Sequence, residues 1–552
     1  MRPIAVLATL VLLAGCTSDP DAAAQEATAG DVDAVVAVTA APASPRTVIA
    51  DVDPVAASVS ASRALFARSP VVVLADAADP AAGLLGASAA VGLGVPLLLG
   101  GEAAGGVLAP ELDRLGVTTV LAVGDAPGAG EGGWEVRAVP AEPGAVAAVT
   151  GLDLATADPV AEDARVAAVA ALDPAAPTAL RPVGADGTAG PASSSSGDGA
   201  ALPEVQRGEP LAGTLVVTSG SPETLAGVAS ARAAGAEVRV TGGVTDPRAS
   251  AELVQRLGGV PSVVVLGADL AAEPGLDWKL DTAATGTQLP GGGQVLFPGR
   301  MMVALYGVPG SGALGLLGEQ DLPAAIRRAQ DMAGRYEPLV DTTVVPAFEI
   351  IATVASASAG PDGNYSTESD VEALRPWVEA AGQAGLYVVL DLQPGRTDFL
   401  TQAQLYRPLL ELPHVGLALD PEWRLRPGEV HLTQIGQVAV DEVNAVAGWL
   451  ADLTRERRLP QKLLVLHQFQ VRMVPDRDRL DLSRDELAVM VHADGQGGQA
   501  AKQDTWRVLH QQADQPELAW GWKNFTDEDV PMLTPEETMA QVQPTPQLIT
   551  YQ

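Results

Sequence analysis

Two carboxylates lie two residues apart in segment 417–423, Leu-Ala-Leu-Asp-Pro-Glu-Trp, directly after an apolar run. Residues two apart on a strand face the same side, about 6.5–7 Å from each other, so Asp420 and Glu422 are expected to point together. Close carboxylates push their pKa values apart, and a carboxyl pair of this kind cleaves glycosidic bonds. We interpret Glu422 as a general acid at the drier end of the strand and Asp420 as its ionised partner. The alternative is a turn at Asp420-Pro421 that leaves Glu422 solvated.

Polar side chains also follow most of the other apolar runs in the C-terminal half. In a barrel, the loops that follow the strands form the active face, so such residues are candidates for catalysis or binding. Glu349 and Asp391 are the candidates for a second carboxylate, at about 5–5.5 Å in a retaining glycosidase or about 6.5–9.5 Å in an inverting one. The candidate substrate-binding residues are Gln393, Trp423, His467, Gln468, His492, Asp494, Trp520, Trp522 and Lys523.

The two histidines of this set raise the alternative of a divalent metal. His467 and His492, together with Asp494 or Asp391, have the donor atoms for one. The chain shows no His-x-His or His-Glu-x-x-His spacing. We therefore favour histidines that line a sugar pocket, and we predict neither a metal nor another cofactor.

Three tryptophans are candidates for stacking on sugar faces. Trp520 and Trp522 share one face of their predicted strand, and Trp423 follows Glu422. An indole ring offers an apolar face and one N–H donor, which suits a sugar ring. The alternative is that these rings fill a core.

Alternating strands and helices position these residues. Candidate strands cover 301–308, 343–354, 386–393, 415–423, 462–471, 487–493, 517–525 and 547–551, and helical patterns lie between many of them. This alternation predicts a (β/α)₈ barrel, or a seven-stranded variant, over residues 291–552. An open doubly wound sheet is the alternative.

The region 45–290 reads as two related α/β units. Apolar strands at 71–76, 95–100 and 119–125 alternate with helices, and the same order returns at 214–218, 237–243 and 262–269. Continuous apolar strands separated by helices predict parallel sheets that are buried on both faces. Residues 174–210 are rich in Pro, Gly, Ala and Ser, so we expect a flexible insertion there.

The first unit resembles the cell wall-binding repeat 2 family. The matching residues are Asp79, Gly94 to Leu99, Leu115-Gly116-Val117 and Val123-Gly124, and the second unit keeps 257–260 and 265–267. This resemblance, over about 45–270, implies an α/β region that binds a polymer of the cell envelope. The Asp-x-Glu strand ending is similar to that of some retaining barrel glycosidases, including the family 25 lysozymes.

The N-terminus has the layout of a secretory signal. A short basic start precedes an apolar run, and Leu13-Ala14-Gly15-Cys16 closes it. This ending resembles the lipobox of bacterial lipoproteins, which implies that Cys16 is acylated and becomes the mature N-terminus. We therefore expect residues 1–16 to be the signal and 17–44 to be a tether. The chain would be anchored by lipid on the outer face of the cytoplasmic membrane.

Composition limits the classes of function. The 552 residues carry 34 basic and 68 acidic side chains, a formal net charge of −34. Such an acidic chain is a poor partner for nucleic acid, because phosphate binding needs a dense basic surface. The residue usage is typical of a GC-rich, actinobacterial-type genome. We predict a surface lipoprotein whose barrel hydrolyses an envelope polysaccharide. The alternatives are a non-catalytic carbohydrate-binding lipoprotein and a metal-dependent hydrolase.

Replacing Cys16 tests the anchor. Cys16→Ala removes the thiol that would carry the lipid, so we expect an unprocessed precursor or release of the chain into the medium. Fractionation of cells and gel mobility measure both effects. A variant that stays in the membrane fraction with unchanged mobility would contradict the lipoprotein prediction.

Overall fold

The computed structural model describes residues 34–101, 106–184, 201–511 and 517–552. The predicted signal and lipidated Cys16 lie outside these ranges. Within them, no helix has the length and hydropathy needed to cross a bilayer.

The N-terminal half contains two four-stranded parallel sheets with the same strand order, second-first-third-fourth. The first sheet is built from Val71–Asp76, Leu97–Gly100, Thr119–Val123 and Glu135–Val139. The second is built from Thr214–Thr218, Glu237–Val240, Ser262–Leu266 and, as its fourth strand, Arg46–Ile49. The two α/β units predicted from the sequence therefore form. Their interlocking was not predicted, because Arg46–Ile49 precedes the first unit and completes the second.

Small residues let the helices between these sheets pack closely. Pro80–Leu93 begins at Asp79, whose carboxylate accepts hydrogen bonds from two backbone N–H groups of the first turn, and ends at Gly94 in the left-handed conformation. Nearly every residue of this helix is buried. The other helices of this half are Pro54–Leu65, Leu108–Leu115, Pro143–Thr150, Arg165–Ala170, Leu225–Ala233, Ala251–Leu257, Ala268–Ala271 and Leu276–Ala283.

Short strand pairs border this half. Thr178–Ala179 pairs with Ala155–Thr156, and Val205–Gln206 pairs with Val35–Val36. A further pair joins Val38–Thr39 to Phe66–Arg68. Both flanks of the predicted insertion 174–210 are thus hydrogen-bonded to other strands, while its residues 185–200 lie outside the described ranges.

The C-terminal half is a closed barrel of eight parallel strands. The strands are β1 (Arg300–Gly307), β2 (Thr343–Ala355), β3 (Tyr387–Leu392), β4 (Val415–Leu419), β5 (Lys462–His467), β6 (Leu487–Ala493), β7 (Ala519–Asn524) and β8 (Leu548–Tyr551). β1 pairs with both β2 and β8, which closes the sheet and excludes both the open sheet and the seven-stranded variant. A short antiparallel strand, Ser366–Glu368, extends β2.

Helices follow most barrel strands and cover the outside. They are Leu322–Gly334, Val371–Gln383, Phe399–Leu405, Arg407–Leu410, Val440–Glu456, Gln499–His510 and Pro535–Gln541. The outward-facing strand residues and these helices form one large core. The inward-facing residues near the start of the strands form a second, apolar core, which includes Met302, Val345, Val389, Val465 and Met490. Towards the strand ends, the inward-facing positions become polar, which places a charged layer at the mouth.

Candidate active site

A cavity of about 680 Å³ opens at the carboxyl end of the barrel. Its wall includes Tyr306, Asp420, Glu422, Asp494 and Lys523. Tyr306 and Lys523 lie near the ends of their strands, and Asp420, Glu422 and Asp494 lie beyond them, where a side chain clears the apolar layer below. The sequence prediction of a polar mouth is consistent with this arrangement.

His467, at the end of β5, holds two carboxylates. Its Nε2 lies 2.7 Å from Oε1 of Glu349, and its Nδ1 lies 2.8 Å from Oδ2 of Asp494. The imidazole is fully buried. Burial alone would lower its pKa, but the charge of Glu349 and the hydrogen bonds to both carboxylates outweigh burial and hold the pKa well above the ordinary value. The ring is therefore an imidazolium that donates from both nitrogens.

A third carboxylate, Asp391, lies beside this imidazolium. Its Oδ2 accepts a 2.8 Å hydrogen bond from the Tyr306 hydroxyl, and its Oδ1 lies 4.0 Å from Nε2 of His467. Since Glu349 Oε1 is 2.7 Å from the same nitrogen, the two carboxylates are at most 6.7 Å apart. Burial, together with the charge of Glu349, raises the pKa of Asp391 to about 6.

The Asp-Pro-Glu segment has a different local structure from the one the sequence predicted. β4 ends at Leu419, and Pro421–Trp423 forms a 3₁₀ turn in which the Asp420 carboxylate accepts a 3.2 Å bond from the N–H of Glu422. The turn alternative is thus correct for the backbone, yet Glu422 is only half exposed and lines the cavity with Asp420. Turn geometry, rather than strand alternation, brings both carboxylates to the mouth.

Of the two charge states predicted for this pair, the structure supports the one for Glu422 and not the one for Asp420. Burial raises the pKa of Glu422 to about 7, with the charge of Asp494 adding to the shift, as expected for a general acid. Burial, followed by the charges of Asp391 and Asp494, also raises the pKa of Asp420 well above its ordinary value. Asp420 is therefore not the ionised partner, because it is more deeply buried than the sequence indicated and faces other carboxylates.

Asp494, directly after β6, is the ionised carboxylate of the cavity wall. Burial opposes its charge, but the hydrogen bond and the positive charge of His467 lower its pKa below the ordinary value. Its Oδ1 accepts no hydrogen bond from any described residue. Single oxygens of Asp420 and Asp494 lie within 4.8 Å of each other. The cavity thus presents two carboxyl groups that keep their protons, Asp420 and Glu422, and one ionised carboxylate, Asp494.

Three further predicted residues lie at or near the cavity. Gln393 accepts a 2.9 Å bond from the N–H of Ala355 and donates a 3.3 Å bond to the Tyr306 hydroxyl. Trp423 and Lys523 line the cavity wall. Trp423 packs with its edge towards the ring of His431, at 5.3 Å between centroids.

His492 lies below the cavity in a neutral form. Its Nε2 lies 3.2 Å from the Thr550 hydroxyl, and its ring contacts His467 at 4.9 Å. Burial and the charge of His467 hold its pKa well below the ordinary value. The neighbouring inward position is Gly521, where a Cβ would lie 2.2 Å from the His492 ring, so only glycine leaves room for it.

Trp520, Trp522 and Gln468 do not line the cavity. The two tryptophans are on the outer face of β7, packed against the Trp506 ring, and Trp520 also stacks on His510 at 3.5 Å. The predicted stacking of these two rings on sugar is therefore wrong, since strand alternation turns Lys523 inwards and the tryptophans outwards. Gln468 is buried and accepts a 2.7 Å bond from the Arg477 guanidinium.

Tyr306 is the site residue that sequence reasoning missed. Its hydroxyl bonds Asp391, and its ring lies beside the Lys523 ammonium. Alternation along β1 could have identified it, because Met302 and Ala304 precede it on the inward face.

The metal alternative has a partial geometric basis. Asp420, His467 and Asp494 each offer one ligand atom, and these three atoms lie within 4.8 Å of one another. His492 is not part of this group. Both nitrogens of His467 face carboxylates, and an imidazolium has no lone pair to give to a metal. The donor chemistry thus favours a proton-binding network over a metal centre.

We expect Asp391→Asn to stabilise the protein above pH 6. The folded-state pKa of Asp391 is raised to about 6, so stability is lost as pH rises from the unfolded value to about 6, and the loss is complete above that. A shift of this size corresponds to roughly 2–3 kcal/mol. Calorimetry of the whole chain should show a higher Tm than wild type at pH 8 and little difference at pH 4. The exposed control Asp331→Asn should show no such dependence. Equal Tm values at pH 8 would contradict the assignment.

Comparisons with known proteins identify no family for this chain. No family model matches the chain, and no curated protein matches it. Among solved structures it is similar to the cell wall proteins Cwp8 and Cwp6 from Clostridium difficile. For Cwp8 the identity is 15% and the TM-score 0.31, with 44% of this chain and 52% of that chain covered. For Cwp6 the values are 12%, 0.32, 64% and 66%. The chain thus spans about half of the first structure and 66% of the second, and similarity this low carries no argument about function.

Proposed function

We propose that the barrel hydrolyses a glycosidic bond, with Glu422 as general acid and Asp494 as the ionised carboxylate. The observation that carries this proposal is the pairing of these two side chains in one cavity with their pKa values pushed in opposite directions. Glycoside hydrolysis needs one carboxyl group that keeps its proton near neutral pH and one that does not.

Each group has a defined task in this reaction. Glu422 donates its proton to the glycosidic oxygen as the bond to the anomeric carbon breaks. Asp494, through its free Oδ1, either attacks the anomeric carbon or takes a proton from the attacking water. His467 is a positioning residue, because it holds Asp494 by Oδ2 and keeps it charged. Glu349 in turn keeps His467 protonated.

The N-terminal region and the lipid anchor suggest where this reaction takes place. The resemblance of residues 45–270 to wall-binding repeats and the lipobox at Cys16 support a polysaccharide of the cell envelope as substrate. A cleft of about 1110 Å³ lies at the carboxyl ends of both N-terminal sheets. Its wall carries Asp76, Asp79 and Asp269, so this cleft would contact neutral or amine-bearing units of the polymer rather than acidic ones.

The pH dependence of sugar release tests the proposal. The whole chain would be incubated with purified bacterial cell walls, and new reducing ends would be measured from pH 3 to pH 9. Because Glu422 must be protonated, activity should fall as pH rises through about 7. Because the pKa of Asp494 is lowered, activity should persist to about pH 4 or below.

Three outcomes separate the alternatives. Loss of activity with a chelator would favour the metal-dependent hydrolase. Binding of wall polysaccharide without any new reducing ends would favour the non-catalytic lipoprotein. Activity that rises steadily above pH 7 would contradict Glu422 as the acid, whatever the substrate.

A further inference from the structure

Lys523, near the end of β7, has an unusual position in the cavity wall. Its Nζ lies 3.5 Å from the centroid of the Tyr306 ring and 5.1 Å from that of Phe525. The side chain is only 3% exposed, and it faces the cavity. An ammonium is therefore held between aromatic rings inside the candidate active site.

This ammonium forms no hydrogen bond or close ion pair with the described part of the chain, and the charges of Asp391 and Asp494 act on it only from a longer distance. No carboxylate of the described residues lies within 4 Å of Nζ, and Nζ donates no hydrogen bond to them. The three other lysines, Lys279, Lys462 and Lys502, are also buried, and each donates to a carboxylate or to backbone carbonyl oxygens. Lys523 is the exception among buried lysines.

An ammonium of this kind favours binding of an anion. Removing a charged group from water costs free energy that a cation–π contact recovers only in part. An anionic group on a ligand would supply the missing hydrogen bonds at short range. The desolvation cost of the ammonium is already present in the folded protein. A ligand with an anionic group therefore gains the full free energy of its hydrogen bonds to Lys523.

We propose that Lys523 binds the carboxylate of an acidic sugar next to the bond that is cleaved. This inference rests on the proposed glycosidase function and names its substrate class. One ammonium matches the single charge of one carboxylate. Asp494, the ionised carboxylate of the same cavity, repels an anion from its own side of the wall, which favours a position of the acidic group beside Lys523. Lys523 thereby also orients the sugar.

A sugar carboxylate has two sources, a uronic acid ring or the lactyl ether of muramic acid, and binding measurements separate them. The whole chain carrying Glu422→Gln would be titrated with a hyaluronan tetrasaccharide and with a peptide-free peptidoglycan tetrasaccharide. The neutral control for each is its carboxyl-reduced form. We expect at least one acidic tetrasaccharide to bind at least tenfold more tightly than its reduced form. Equal affinities in both pairs would overturn the inference.

Variants of Lys523 assign the preference to this side chain. Lys523→Met keeps the aliphatic stem between the rings and removes the charge, so the preference should disappear. Lys523→Arg should retain most of it. Arg335→Gln removes one positive charge from an exposed position and should leave it unchanged. A preference that survives Lys523→Met would overturn the assignment. If that variant fails to fold, the comparison of acidic and reduced ligands on the Glu422→Gln chain, in which Lys523 is intact, still decides the substrate class.

The outcomes for ligand class and for catalysis are separate. A preference for the acidic tetrasaccharide without turnover of any glycan would support Lys523 and contradict the glycosidase. Turnover of neutral and acidic glycans at equal kcat/KM would support the glycosidase and contradict the role of Lys523. If Lys523 only altered the charge around Glu422, replacing it would shift the pH profile of hydrolysis by the same amount for the acidic and the neutral glycan.

Discussion

Glu422→Gln is expected to reduce hydrolysis of the susceptible glycan by about 10²- to 10⁴-fold, the contribution of a positioned general acid. Glutamine keeps the size of the side chain and removes the proton that the leaving oxygen needs. The loss should lie in kcat, since proton transfer belongs to the transition state. Reducing-end assays at pH 6 measure it.

The matched control for this variant is Glu337→Gln, an exposed change at the opposite end of the barrel. It should retain wild-type activity. Both variants should keep the wild-type Tm or exceed it, because burial already favours the neutral form of Glu422. Full turnover by Glu422→Gln would remove the glycosidase proposal and leave the carbohydrate-binding alternative.

His467→Gln is expected to destabilise the barrel by about 3–5 kcal/mol, the usual cost of removing one partner of a buried ion pair. The variant leaves Glu349 and Asp494 buried without their cation. The folded-state pKa of His467 is raised, so its contribution is fully present below the unfolded value and disappears as pH rises through the folded one. The deficit should be large near pH 7.

His467 is protonated in the folded wild type at both pH 4 and pH 7, so the difference between these pH values arises in the variant. At pH 4 the two unpaired carboxylates of the variant become protonated, and the deficit should shrink. Calorimetry at pH 4 and pH 7 measures the difference. The matched control is His492→Gln, which removes a neutral ring with one hydrogen bond and should cost about 1 kcal/mol at pH 7. The cost should be smaller at pH 4, because the lowered pKa of His492 already destabilises the wild-type protein below the unfolded pKa. Equal costs for the two variants would show that His467 carries no charge in the folded protein.

Individual residues show how far sequence reasoning reached. Apolar runs placed all eight barrel strands, because a parallel strand buried on both faces must be apolar along its length. Asp391 and Asp494 were found for the same reason, since a charge at or beyond the end of such a run lies towards the mouth. Glu349 instead lies in the middle of β2, with apolar residues on both sides. Trp520 and Trp522 were misplaced because their run was not divided into inner and outer faces.

Other features depended on contacts between distant segments. Arg46–Ile49 completes the second sheet across more than 200 residues of chain. The charge of Asp420 was predicted in the wrong direction because Asp391 and Asp494 face it from other strands. Glu422 was placed in the cavity for the wrong reason, since Pro421 begins a turn.

The sequence by itself determined the alternation of strands and helices, the barrel and the chemistry available at its mouth, because hydrophobic periodicity and side-chain type are local properties. Only the tertiary structure decided which carboxylate keeps its proton. That choice depends on burial and on charges a few ångströms away, such as His467 beside Asp494, which lie 27 residues apart in the chain. The unpaired ammonium of Lys523 likewise became visible only when the strands closed around it.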